Sequence, residues 1–311
     1  MDWRIKALFQ RILSVSRLGD RINHSLITFN KQYHQNVVMY QCHETLRKFE
    51  HAKLNMGLKM VALEVGTGYS LISVITLALL GFDKIITVDI TCDISFKTFK
   101  KQITHFNDNQ ITEISKHSKF SRSELYEKVH MVNRVLSLEE LFKLLNIIYI
   151  APYNFEDIEK YAPYFDYITS QVVLEHVPPT VLDVFFKKTK QWLRAGGYSV
   201  HTINFIDHFA NPGLFGDKSI SEFNFLKYSN KYWKFWAGNS LAYTNRLSYL
   251  FYLQLCKTYN LEVIEFIGEN YRESIKLNSS LIHEDVIKKY DKPPNRGRLT
   301  EFQRGTLIIK A

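Results

Sequence analysis

The sequence predicts an α/β fold, in which short buried strands alternate with helices around a sheet. Three observations lead to this prediction. Residues 61–70 follow the pattern of a strand, a glycine turn and the start of a helix. Further short apolar runs follow along the chain, separated by segments with helical patterns. The pair Gly196-Gly197 makes a sharp turn from the end of one helix into the next strand.

The glycine turn is the feature around which the chain is organised. The apolar run 61–65 contains Glu64 and is followed by Gly66, Thr67 and Gly68. A glycine in such a turn can take a positive φ, and it lets a ligand approach the backbone closely. The stretch therefore favours a site for a nucleotide-like ligand, although a turn of this kind can also serve only to connect a strand with a helix.

The helix predicted after the turn, over residues 70–80, narrows the choice of nucleotide. Its first N–H groups point at whatever lies in the turn, and Gly81 ends it. The dinucleotide fingerprint G-x-G-x-x-G would need glycine at position 71, where this chain has Leu71. An NAD(P)-dependent oxidoreductase is therefore disfavoured.

A second buried strand is predicted over residues 84–90, with Asp89 at its end. Asp89 lies 21 residues beyond Gly68, a spacing at which a carboxylate can accept hydrogen bonds from both hydroxyls of a ribose. The alternative is a helix N-cap or an ordinary loop acid. The remaining predicted strands are 147–151, 164–173, 198–203, 261–267 and 305–310, and helices are expected over 93–106, 138–145 and 180–193.

Two groups of motifs resemble the class I methyltransferases that use S-adenosylmethionine (SAM). The glycine turn is similar to their E-x-G-x-G-x-G, with Ser70 in place of the last glycine. F-D-x-I-x-S-x-x-V-L-E-H-V, followed by a helix that ends in W-L-R-A-G-G and by a strand, resembles the later half of their cofactor domain. The resemblance covers about residues 58–205. It implies a Rossmann-like, seven-stranded, mostly parallel sheet with an antiparallel last strand and helices on both faces.

The resemblance also implies SAM as the cofactor and a set of residues around it. Asn154, which follows the strand 147–151, is expected to read the adenine amino group through its side-chain carbonyl, although a turn-forming asparagine is an equal alternative. The full set of expected cofactor-binding residues is Glu64, Gly66, Thr67, Gly68, Asp89, Asn154, Ser170 and Gln171.

The candidate catalytic residues follow from the chemistry of methyl transfer to a hydroxyl, which generally needs a base. His208, beside Asp207, is the first candidate, and His176 and His201 are the others. His176 can alternatively cap the next helix. No metal site is expected, because the histidines at 34, 43 and 51 have no carboxylate cluster and the three cysteines lack C-x-x-C spacing.

The N-terminal part of the chain is predicted to form a helical extension or lid, residues 1–57, before a methyltransferase domain over 58–311. Insertions are expected at about 91–146, 204–260 and 271–298. Ten Lys and Arg stand against four Asp and Glu in residues 1–60, and the whole chain has a net charge of +9. Residues 2–31 read as a basic amphipathic helix, which either packs over the core or contacts a membrane surface. The aromatic segment within 204–260 suits either a pocket wall for a sugar or a buried cluster.

The function expected from these observations is O-methylation of a sugar, a glycan precursor or another small hydroxyl-bearing metabolite. I-D-H-F, N-F-L-K-Y-S and N-R-L also resemble, more loosely, bacterial methyltransferases of surface-polysaccharide synthesis. The alternative is a catalytically silent methyltransferase fold that acts as a membrane-associated scaffold. Nucleic-acid substrates are disfavoured, since neither [DNS]-P-P-[YF] nor Pro-Cys occurs. A cytoplasmic protein, with peripheral contact at the inner membrane face as an option, is expected; the oligomeric state is left open.

Overall fold

The computed structural model describes residues 1–15, 32–54, 58–161, 165–210, 216–273, 275–289 and 296–311. The chain divides into two compact units. One, the aromatic unit, contains the described parts of 1–29, 172–186 and 202–307. The other, the glycine-turn unit, contains those of 30–171, 187–201 and 308–311. Positions 16–31 of the predicted N-terminal helix, the predicted boundary residues 55–57 and part of the expected insertion 271–298 lie outside the described residues.

Gly196 and Gly197, predicted to turn from a helix into a strand, instead lie within the strand Leu193–Asn204, which begins directly after the preceding helix. The helices and strands alternate along the chain. They are α1 Trp3–Leu13, α2 Tyr33–Ala52, β1 Val61–Val65, α3 Ile72–Leu80, β2 Lys84–Val88, α4 Phe96–Ile103, α5 Asp108–Ser115, α6 Arg122–Arg134, α7 Leu138–Leu145, β3 Ile147–Ile150, α8 Phe155–Glu159, β4 Phe165–Gln171, α9 Pro179–Trp192, β5 Leu193–Asn204, α10 Asn230–Ala237, α11 Tyr249–Thr258, β6 Glu262–Glu269, α12 Glu284–Lys289 and β7 Arg304–Lys310.

The seven strands form one sheet in the order β3-β2-β1-β4-β5-β7-β6. Strand β1 pairs in parallel with β2 and with β4, and β2 pairs in parallel with β3. Strand β7 is antiparallel to β5, because the Phe205 N–H bonds to the carbonyl of Gln303 while Gly196 and Gly197 bond to Ala311. The prediction of a Rossmann-like α/β sheet of seven strands, mostly parallel and with an antiparallel last strand, is confirmed.

The core of the glycine-turn unit explains why its helices and strands could be predicted from the sequence. Every residue of α3 is buried, and its largely apolar sequence fits a helix that is covered all round. Gly81 ends α3 with φ of 113°, a left-handed conformation that suits glycine. The expected insertion 91–146 folds as the four helices α4 to α7, and Ser121 and Asn107 begin two of them with capping boxes.

The aromatic unit has a core of its own, and α1 belongs to it. Trp3 is 2% exposed, and its ring lies 5.5–5.8 Å from four other aromatic rings, those of Phe209, Tyr228, Trp233 and Trp236. Of the two alternatives for the aromatic segment, the structure shows the buried cluster. None of the described helices has the length and apolar character needed to cross a bilayer.

Candidate functional site

Parallel pairing brings the predicted cofactor residues to one edge of the sheet. Val65 at the end of β1 is in register with Val88 of β2 and with Ser170 of β4. The chain therefore leaves all three strands at the same edge, first at Gly66, then at Asp89 and then at Gln171. In open α/β sheets this carboxyl edge is where ligands bind.

The glycine turn has the backbone conformation that its sequence predicts. Gly66 has φ of 86° and Gly68 has φ of 60°, both in the left-handed region. The N–H of Gly66 donates to the carbonyl of Val88 at 2.8 Å, so the turn is tied to the neighbouring strand. A Cβ built on Gly68 would meet nothing within 4 Å, so a ligand can approach the backbone there.

Asp89 meets this turn directly. Its Oδ2 accepts a hydrogen bond of 2.7 Å from the Gly68 N–H, and its Oδ1 accepts one of 3.2 Å from the Thr91 N–H. The side chain is 9% exposed. Each carboxylate oxygen can accept more than one bond, so Asp89 keeps acceptor capacity for ligand hydroxyls.

Glu64 and Thr67 are buried and bonded to Thr87 of β2. The Thr87 hydroxyl donates to Glu64 at 2.8 Å and lies 2.6 Å from the Thr67 hydroxyl. Burial raises the pKa of Glu64, and hydrogen bonds from Ser73 and Thr87 together with the Lys48 ammonium oppose that rise. The two residues therefore tie the turn and the end of β1 to β2.

The end of β4 is held by a helix that the sequence did not connect with the site. The Gln171 Nε2 donates to the Tyr40 hydroxyl at 2.8 Å and to Glu44 at 3.2 Å, both on α2. Its buried Oε1 accepts no hydrogen bond from the described residues. Lys48, also on α2, donates to the Ser170 carbonyl at 3.0 Å. Gln171 thus presents an orphaned acceptor at the carboxyl edge.

Asn154 and Ser70 have local structural roles. Asn154 is the N-cap of α8, and its side-chain carbonyl, expected to read adenine, accepts from the Asp157 N–H at 3.1 Å. Ser70 accepts from the Ile72 N–H at 3.3 Å and donates to Gln102 at 3.0 Å, so the hydroxyl satisfies polar groups where a glycine could not.

A second group of polar residues lies in the aromatic unit. Glu175, His176 and His208 each offer one ligand-type atom, and these three atoms lie within 4.8 Å of one another. The His176 and His208 rings meet edge to face with centroids 4.9 Å apart. His176 donates from Nδ1 to the Tyr243 carbonyl at 2.9 Å, since a carbonyl can only accept. Its Nε2 then carries the lone pair of the neutral ring.

Burial sets the protonation of this cluster. Glu175 is 3% exposed, and burial raises its pKa to about 8; the nearby N–H groups of Glu175 and Asn204 oppose the rise without forming good hydrogen bonds to it. Burial also lowers the pKa of His208 to about 3, with smaller contributions from His176 and Lys6. His176 is the solvent-facing member, although enough protein surrounds its ring to lower its pKa. Both histidines are therefore neutral near pH 7.

The backbone around Glu175 is held by Asn245, which belongs to the N-R-L motif. Its Nδ2 donates to the carbonyls of Leu174 at 2.7 Å and Val177 at 3.0 Å, while its N–H donates to the Glu175 carbonyl at 2.8 Å. Sequence reasoning named His176 but not Glu175 or Asn245. Their only signal was their place within the L-E-H-V and N-R-L motifs.

Two expected catalytic residues are buried and bonded to neighbouring protein groups. The carboxylate of Asp207 accepts from the Phe209 N–H at 2.8 Å and from Asn224 at 3.5 Å. Burial raises the pKa of Asp207 to about 7. His201 is 0% exposed, and its ring nitrogens lie 2.8 Å from the Ser170 hydroxyl and 2.6 Å from the Ser199 hydroxyl. It is a core residue of the glycine-turn unit.

Comparison with known proteins gives distant structural likenesses. No protein-family model and no curated protein matches the chain. It is similar to phosphoethanolamine N-methyltransferase 2 of Haemonchus contortus in complex with S-adenosyl-L-methionine, at 13% identity and a TM-score of 0.42, over 90% of this chain and 58% of that protein. It is also similar to a SAM-dependent methyltransferase from Archaeoglobus fulgidus, at 14% identity and a TM-score of 0.43, over 88% of this chain and 94% of that protein. A third similar structure, a SAM-dependent methyltransferase from Mesorhizobium loti, has 12% identity and a TM-score of 0.41, over 92% of this chain and 100% of that protein.

Proposed function

We propose that the protein is a SAM-dependent methyltransferase that methylates a hydroxyl of a sugar, a glycan precursor or another small metabolite. The observation that carries the proposal is the contact between Asp89 and the Gly68 N–H at the carboxyl edge of β1 and β2. It sets a carboxylate beside an open, left-handed glycine turn, where it can accept bonds from both hydroxyls of a ribose.

The same contact favours SAM over a dinucleotide. A pyrophosphate needs free N–H groups at the turn, but the Gly68 N–H already donates to a carboxylate. The negative charge of Asp89 would also repel a phosphate placed there. SAM has no phosphate and carries a positive sulfonium. Leu71, which replaces the third glycine of the dinucleotide fingerprint, supports the same choice.

The aromatic unit supplies the groups proposed for the acceptor hydroxyl. Transfer from the sulfonium requires that the hydroxyl lose its proton, and an accepting nitrogen must carry a free lone pair. The Nε2 of His176 fulfils this condition, because its Nδ1–H is committed to the Tyr243 carbonyl. The Nε2 of His208 is buried and has no partner among the described residues.

The test is calorimetric titration of the full chain with SAM and S-adenosylhomocysteine, with NADPH as a control ligand that should not bind. We expect SAM to bind in the micromolar range and Asp89→Ala to lose that binding. Asp157→Ala is the matched control, because it removes a carboxylate that caps α8. If folded wild-type protein binds neither SAM nor S-adenosylhomocysteine, the proposal is wrong and the silent-scaffold alternative replaces it.

We also propose peripheral contact with an anionic membrane surface through α1. The buried side of this helix holds Trp3 and Ala7, but a second apolar stripe of Ile5, Leu8, Phe9 and Ile12 is 49–62% exposed. These four residues share one helix face by their i, i+3, i+4 and i+7 spacing. The basic residues Arg4 and Arg11 of the same helix are also exposed. Exposed apolar residues together with basic ones are the combination with which helices bind lipid headgroups.

A further inference from the structure

We propose that Glu175, His176 and His208 bind a divalent transition-metal ion. All three belong to the aromatic unit, and their ligand atoms lie within 4.8 Å of one another. Glu175 and His176 are held by the short helical turn after β4, whereas His208 follows β5. Residues from two separate parts of the chain thus converge on one small volume.

Glu175 is the strongest indication of a ligand. The residue is 3% exposed, and neither carboxylate oxygen accepts a hydrogen bond from the described residues. A buried carboxylate without donors destabilises a protein, so such groups normally bond to a partner or coordinate a metal ion. A cation bound between the three side chains would supply the missing partner.

Each of the two imidazole rings has a nitrogen that is available to coordinate the same ion. A metal-ligating histidine usually donates its other ring N–H to a carbonyl or carboxylate, which fixes its tautomer and orientation. His176 does so through the Nδ1–H bond to Tyr243, and its Nε2 is left for the metal. The buried Nε2 of His208 has no protein partner among the described residues. Asn245 fixes the turn that carries Glu175.

The donor set indicates the class of ion. Two imidazole nitrogens and one carboxylate suit Zn²⁺, Fe²⁺, Co²⁺ or Mn²⁺, whereas Mg²⁺ and Ca²⁺ prefer oxygen ligands. Three protein ligands leave room in the coordination sphere for a water or a substrate hydroxyl. The separations of up to 4.8 Å imply that the side chains move closer together when the ion binds.

The catalytic use of the ion rests on the proposed methyltransferase function, while its binding does not. The chemistry that such an ion would supply is to make a bound hydroxyl more acidic, so that its proton would pass more easily to solvent. With the ion bound, the Nε2 of His176 would be its ligand, and it would act as the proposed base only in the metal-free protein.

The test is a Co²⁺ titration of untagged, chelator-dialysed full chain, followed by absorption spectroscopy of the cobalt d–d bands. We expect one Co²⁺ per chain, displaced by Zn²⁺. Glu175→Gln, His176→Ala and His208→Ala should each lose the bands. The matched control is His130→Ala, which removes an exposed histidine of the other unit and should keep them.

Thermal melts of the metal-free variants will distinguish a loss of metal binding from a loss of folding. Glu175→Gln should melt close to wild type without metal, because the two side chains have nearly the same shape. The proposal is overturned if folded wild type binds no Co²⁺, or if all three variants keep the bands. Cobalt binding by a protein that fails to bind SAM would leave the metal site standing and refute the methyltransferase function instead.

Discussion

At the residue scale, substitution of Gly68 should affect protein stability and SAM affinity to different extents. Gly68→Ala puts a Cβ into open space, so its stability cost is the left-handed φ alone, about 1 kcal/mol. The same Cβ stands where a ligand would approach the backbone, so we expect SAM affinity to fall by at least about tenfold. Chemical denaturation and calorimetry measure the two effects.

Gly196→Ala is the matched control for this substitution. Gly196 has φ of 82° and equally open space around its Cβ, but it lies near the start of β5. It should lose similar stability and keep wild-type SAM affinity. If both variants lose SAM affinity equally, the loss in Gly68→Ala comes from backbone strain and not from a ligand contact.

His201 makes a prediction about pH. Burial lowers its pKa from the usual 6.5 to about 3, so the folded protein keeps the ring neutral. The unfolded chain then binds the proton more readily as the pH falls below about 6.5, and stability is lost towards pH 3. One such group contributes a slope of up to about 1.4 kcal/mol per pH unit.

We therefore expect His201→Gln to show a shallower loss of unfolding free energy than wild type between about pH 6 and pH 4. Denaturant titrations at several pH values measure this slope. The exposed His130→Gln variant should follow the wild-type curve. Identical slopes for His201→Gln and wild type would mean that the buried ring is protonated in the folded state.

At the scale of a single element, α1 is held by the buried Trp3 ring together with hydrogen bonds from Lys6 and Arg11. Trp3→Ala removes a ring that packs against four others and should cost about 3 kcal/mol, which raises the detached population of α1 roughly 100-fold. We expect trypsin to cut at Arg4 and Arg11 correspondingly faster. Phe9→Ala, which truncates a 59% exposed side chain of the same helix, should not change the cleavage rate. An unchanged rate for Trp3→Ala would contradict this mode of attachment.

Elements also show what the sequence could and could not predict. Strands β1 and β2 and helix α3 are short, largely apolar segments, and Gly66, Gly68 and Gly81 stand between them, so the local pattern predicts them. The acceptor on Gln171 depends on Tyr40 and Glu44, more than 120 residues away in the chain. The Asn154 cap and the Asp207 bonds are local, but sequence cannot say which of several acceptors a side chain will serve.

At the scale of the whole molecule, the predicted functions fall on different compact units. The glycine turn, Asp89 and Gln171 belong to one unit, whereas Glu175, His176 and His208 belong to the other. The chain passes between them within the motif that resembles a methyltransferase, since the division falls directly after Gln171. Cofactor binding and metal binding can therefore be measured as separate properties of one chain.

The net charge of +9 and the exposed apolar stripe of α1 act together in the last prediction. We expect the full chain to co-sediment with anionic phosphatidylserine vesicles more strongly than with neutral phosphatidylcholine vesicles. Because each basic residue near such a surface contributes about 1 kcal/mol and this attraction is screened, added salt should weaken the binding. Phe9→Ser should weaken it by about 1.5 kcal/mol or more, since the ring loses its apolar contact. Leu136→Ser, at a residue 83% exposed on the other unit, should bind as wild type does, and equal binding to both vesicle types would refute the membrane contact.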